Sequence, residues 1–96
     1  MRFIIRTIFP TKLGNKAVKD PNFIENIQGF IENNKAEAAY FTELNGDRAG
    51  IFIIDMPSAD KIPAIAEPFF EMGAKVEFHP VMNLEELKKG LSAAIK

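Results

Sequence analysis

The stretch AEAAYFTELNGDRAGIFIIDM, residues 36–56, decides the fold. Two extended runs, Glu37 to Leu44 and Arg48 to Met56, flank Asn45-Gly46, a pair that tolerates the positive φ angles of a tight hairpin turn. A two-residue turn sets Glu43 opposite Arg48 and Tyr40 opposite Ile51 on adjacent strands. A longer loop would shift that register. The second run is apolar at every position from Ala49 to Ile54, so both faces of that strand call for cover.

Toward the N-terminus, Arg2 to Phe9 is β-branched and aromatic-rich and stops at Pro10, which predicts a first strand. Thr11 to Lys19 reads as a loop or a short helical turn. Asp20-Pro21 starts a helix, because the carboxylate caps free amides and proline lacks only a donor that the first turn does not use. Phe23, Ile27 and Phe30, with Ile24 and Ile31 alongside, give that helix one apolar stripe ending near Asn33 and Asn34. After the hairpin, Ser58 is a candidate cap for a second helix carrying Ile62, Ile65, Ala66, Phe69 and Phe70 and ending near Gly73. Pro68 removes a backbone donor and crowds the carbonyl of Ala64, which predicts a kink or stop around Glu67. Lys75 to Met82 reads as a fourth strand, placed at the sheet edge by Pro80. Asn83 and Glu86 match a capping box, and Leu84, Leu87, Leu91 and Ile95 give a terminal helix. The order is the split β-α-β-β-α-β arrangement of an α+β ferredoxin-like sandwich, a four-stranded antiparallel sheet with helices on one face, plus a C-terminal helix.

Ninety-six residues make one domain. Twelve basic against 13 acidic residues give a net charge of −1, with nothing to draw the chain to phosphate backbones or anionic lipid. Cysteine is absent, which removes disulfides, thiolate nucleophiles and cysteine metal sites. No apolar run reaches the roughly 20 residues of a membrane span, and the opening MRFIIRTIFP is too short and interrupted for a signal peptide. A cytoplasmic location is expected. The third strand, DRAGIFIID, lacks the added aromatics with which this topology stacks RNA bases. No glycine-rich phosphate loop follows a strand, and no serine sits in a nucleophile elbow. No cofactor is expected.

The two main helices cover only one face of the sheet. A four-stranded sheet leaves a second face of roughly 350 Å² in projection, large for an exposed patch once its apolar residues are counted. A second copy packed sheet to sheet, as in the dimeric α+β barrels, covers it, with the terminal helix clasping the partner. The alternative folds the terminal helix back over its own sheet.

The motifs AEAAYFTE (36–43), GDR (46–48), IPAIAEPFFEMGAKVE (62–77) and PVMNLEEL (80–87) resemble a family of roughly 100-residue bacterial proteins without an established activity. Its pattern runs PEAAYFTE, G-x-R, IPxxAEPxF and PVMxxEDL; here Ala36 replaces the proline and Glu86 the aspartate. More distantly, RAG (48–50), DMPSA (55–59) and PFF (68–70) are similar to the muconolactone isomerase type of dimeric α+β barrel. The resemblance implies a ferredoxin-like homodimer and leaves the activity blank.

His79, the sole histidine, reads as a general base facing the space between subunits, near Glu77, or as a structural residue on an edge strand. Glu67, at the predicted break, reads as a general acid in a pocket lined by Phe69 and Phe70, or as a solvated carboxylate on a bent helix. Glu43 and Arg48 read as a cross-strand ion pair, or Arg48 as the receiver of a substrate carboxylate. Arg6 interrupts an apolar central strand, so its charge meets Asp55, Glu77, water or an anionic ligand. Tyr40 adds a hydroxyl donor on the same strand system. A lone histidine with scattered carboxylates offers no metal-ligand spacing. These residues suit a small, anionic organic ligand held in a cavity at the sheet face or helix-sheet junction, or a cofactor-independent isomerase working through Glu67 or His79.

Overall fold

In the computed structural model, which describes residues 1–95, Asn45 and Gly46 adopt φ angles of +53° and +86°. The left-handed pair closes a two-residue turn, and strands β2 (Ala38–Leu44) and β3 (Asp47–Asp55) pair with Glu43 opposite Arg48 and Tyr40 opposite Ile51. A Cβ added at Gly46 meets nothing within 4 Å, so Gly46→Ala tests the backbone alone. It is expected to cost about 1 kcal/mol in urea unfolding, and an unchanged midpoint would contradict the turn geometry.

β3 pairs antiparallel with β1 (Arg2–Phe9), and β1 with β4 (Lys75–Pro80), giving the order β2-β3-β1-β4. Pro80 ends the β4 edge strand, as its missing donor requires. The connections are α1 (Thr11–Ala17), α2 (Phe23–Asn33), a 3-10 turn (Ala59–Lys61), α3 (Ile62–Glu71) and, after β4, α4 (Leu84–Ala94). The chain is an α+β ferredoxin-like domain, and the Thr11–Lys19 segment is more helical than its composition suggests.

Alternation divides the sheet into two faces. Phe3, Ile5, Thr7 and Phe9 of β1, with Phe52 and Ile54 of β3, face the helices, where Ile5 and Phe52 are fully buried. Phe30 and Phe69 meet Phe52 with ring centroids 5.0 Å and 6.0 Å away, and Phe30 meets Phe69 at 4.8 Å. These rings tie α2 and α3 to the central strand.

α3 runs through Pro68 to Glu71, so the helix does not stop near Glu67. Ile65, Ala66 and Phe69 face the sheet, while Ala64 and Pro68 are exposed, so the carbonyl that loses its partner lies on the wet side of the helix. Ser58 precedes the 3-10 turn but caps no backbone amide; its hydroxyl donates to Asp60 instead. α2 starts two residues later than Asp20-Pro21 suggests, at Phe23 with Asn22 as its N-cap, and Asp20 accepts from the Asn22 amide at 2.9 Å in the turn before it.

α4 does not fold back over the sheet. Its capping box is complete, with Asn83 Oδ1 accepting from the Glu86 amide at 2.8 Å and Glu86 Oε1 from the Asn83 amide at 3.0 Å. Yet every residue from Leu84 to Ile95 is exposed, including Leu84, Leu87, Leu91 and Ile95. The helix extends the molecule to 54 Å along an axis where the others measure 28 and 20 Å.

Candidate functional site

The strand register arranges the uncovered sheet face in transverse rows. Ala38, Ile53, Ile4 and His79 form one row; Tyr40, Ile51, Arg6 and Glu77 the next; Thr42, Ala49, Ile8 and Lys75 the third. Four isoleucines and Ala49 thus fill the middle and, apart from Ala38, polar residues the edges, with Arg6 as the one charge in the interior strands of these rows. Arg6 Nη1 meets Glu77 Oε1 at 3.1 Å, and His79 Nε2 meets the same oxygen at 3.0 Å. Asp55, the other candidate partner for Arg6, instead accepts from the Met1 amino group at 2.8 Å. Tyr40 shares the Arg6 row but stands at the opposite sheet edge.

The His79 hydrogen bond, aided by the Arg6 charge, holds the Glu77 carboxyl below the usual carboxylate range against partial desolvation. A depressed folded-state pKa contributes stability that is present above the unfolded value of about 4.3 and is lost as the pH falls through the folded value. Glu77→Gln is therefore expected to flatten the acid limb of a stability profile below about pH 4.5. Urea midpoints across that window check it; an unchanged slope would contradict the linkage.

Glu67 takes no part in this cluster. Helical periodicity turns Glu67 and Phe70 outward while Phe69 enters the core, so the expected acid pocket between Phe69 and Phe70 does not form. The sheet separates Glu67, on the helix layer, from His79, on the uncovered face. The two do not converge in one cavity.

Glu43 and Arg48 stand opposite each other but do not pair. Glu43 Oε2 accepts from the Gly46 amide at 2.8 Å, a local charge-assisted bond that satisfies the turn, and Arg48 Nη1 donates to Asn15 Oδ1 at 3.0 Å. Arg48 lies on the helix-facing side of β3, beneath α1.

There it borders a second feature, a cavity of about 560 Å³ between α1, α2 and the sheet. Its floor is Thr7 and Gly50, which oppose each other in the register, and its walls include Phe9, Phe23, Ile27, Phe41 and Phe52. Small residues line it at several points: Gly50 has no side chain, Thr7 is short, and Gly14 and Ala17 of α1 stand at the rim. The buried Thr7 hydroxyl is satisfied by the Gly50 carbonyl at 3.2 Å. Of the candidate site residues expected from sequence, Arg48 alone lines this space, together with Phe23, Ile24, Ile27 and Ile31 of the apolar helix stripe. The signal for the rest was Gly50 inside a strand, the usual mark of a bulge or a close approach.

Among the described residues no group of three or more histidine or acidic side chains is placed to hold a metal ion, and no helix is long and apolar enough to cross a membrane. Comparison of the chain with protein-family models and with curated proteins gave no match.

Proposed function

We propose that this protein is a homodimer of the dimeric α+β-barrel kind, akin to the small bacterial family that its AAYFTE, AEPFF and PVM motifs resemble, and that it binds a small organic molecule. The observation that carries the binding is the apolar cavity beneath α2. Its volume, about 560 Å³, lies within the range of small-molecule sites, and its few polar groups sit among aromatic and aliphatic walls.

The dimer is supported by what one chain leaves uncovered. Ile4, Ile8, Ile51 and Ile53 are only partly buried on the open sheet face. That face, roughly 350 Å² in projection, is small against the about 800 Å² per partner of a standard interface. The apolar stripe of α4 supplies further area when it reaches across to a second copy. Of the charges on the face, Arg6 pairs with Glu77 and Arg2 with Glu37, while Lys75 is exposed on the edge strand.

A neutral, environment-sensitive apolar dye such as N-phenyl-1-naphthylamine tests the cavity. It is expected to bind the native protein with micromolar affinity and to lose about tenfold or more in Ala17→Trp, whose indole fills the rim. No saturable binding, or equal binding by the variant, would contradict the reading.

A second reading, a cofactor-independent isomerase or related acid/base enzyme acting on a small organic acid or lactone, is favoured by the His79–Glu77 contact beside Arg6. His79 would move the proton and Arg6 would stabilise the developing oxyanion. Turnover of a small unsaturated lactone that is abolished by His79→Ala supports this reading, and turnover that survives the substitution counts against it.

A further inference from the structure

The rim of the helix-sheet cavity carries a single charge. A Cβ built on Gly14 would stand 2.9 Å from Arg48 Nη1 and 3.3 Å from its Cδ, so the bare backbone of α1 is what allows the arginine to lie across the cavity entrance. Asn15 then fixes the guanidinium through a neutral acceptor. Among the described residues Arg48 forms no ion pair, and no acidic side chain lines the cavity. The opposing strand residue, Glu43, is occupied at the turn. The guanidinium is thus positioned but not neutralised.

Resting on the reading of this cavity as a ligand site, we propose that its ligand is an amphipathic monocarboxylic acid. The carboxylate accepts from Arg48 at the rim, and the apolar body lies on the Thr7–Gly50 floor, against Phe9, Phe41 and Ile27. One planar guanidinium matches one carboxylate edge, whereas a phosphate dianion would retain charge that a single arginine does not balance. A second carboxylate further inside would be desolvated without a partner, because the buried Thr7 hydroxyl already donates to the Gly50 carbonyl while the other uncharged polar lining residues, Gln28 and Thr42, are exposed. The interior therefore selects an apolar tail and the rim selects one anionic head.

Displacement of N-phenyl-1-naphthylamine by decanoate, decanol and decylamine tests this on the full chain. Decanoate is expected to bind about tenfold more tightly than decanol, and decylamine more weakly than either, consistent with a charge-assisted hydrogen bond at the rim. In Arg48→Gln the acid and the alcohol should become equal, and Arg48→Lys should retain part of the preference, each at an unchanged Tm. Equal affinity for acid and alcohol in the native protein, or a preference that survives Arg48→Gln, would overturn the acid ligand and leave the cavity as a binding site. Binding of neither dye nor amphiphile would remove both. Decanoate binding that appears only when Leu87→Glu and Leu91→Glu disable α4 would assign the cavity to a partner copy's helix and overturn the proposal.

Discussion

Phe52→Ala is expected to destabilise the fold by about 3–5 kcal/mol, the range for deleting a buried aromatic ring. Phe52 is fully buried on an interior strand and makes edge contacts with Phe30 and Phe41 and a tilted contact with Phe69. Its removal thus unties α2 and α3 from the sheet together. Surroundings relax little after such a deletion, so lost transfer energy and the new void add. Against a typical domain stability of about 5–15 kcal/mol, the variant should be close to unfolded at 37 °C. It should also lose dye binding, because the ring is one wall of the cavity. Urea unfolding at 25 °C measures the loss; a change below about 1 kcal/mol would show that the ring is not packed as described.

Ile53→Arg is expected to leave the subunit folded and to abolish the proposed dimer. Ile53 sits on an interior strand of the uncovered face, between Ala38 and Ile4 in its row. In one chain an arginine there reaches water along its stem. In a two-fold pair packed sheet to sheet the same substitution enters twice, and each charge is enclosed with the carboxylate two residues along its strand, Asp55, already held by the Met1 amino group. A penalty of roughly 4 kcal/mol raises the dissociation constant about a thousandfold. Size-exclusion chromatography coupled to light scattering, with circular dichroism to verify folding, checks both halves of the prediction. A folded Ile53→Arg dimer would place the interface elsewhere.

The sequence carried the local decisions well. Asn45-Gly46 sets the hairpin and its register because the positive φ angles are a property of those two residues alone. Pro80 marks an edge strand because a missing donor is a local fact. Arg6 demanded a partner by the cost of a charge in an apolar strand, and Glu77 directly opposite supplies it. What depended on a third element was not legible. Pro68 breaks nothing because the affected carbonyl lies on the solvent side of α3, which only the docked helix reveals. Arg48 turns from Glu43 to Asn15 because α1 passes over it, and that segment reads as little more than a loop. The cavity arises from small residues on three separate elements, Thr7, Gly50 and Ala17 among them, and no spacing along the chain brings them together.

Sedimentation equilibrium of the full chain at low micromolar concentration weighs the account most directly. The uncovered isoleucine face and the projecting α4 predict a species of twice the 10.7 kDa chain mass, converting to single subunits in Ile53→Arg. A stable, folded 10.7 kDa species at the same concentration would contradict it.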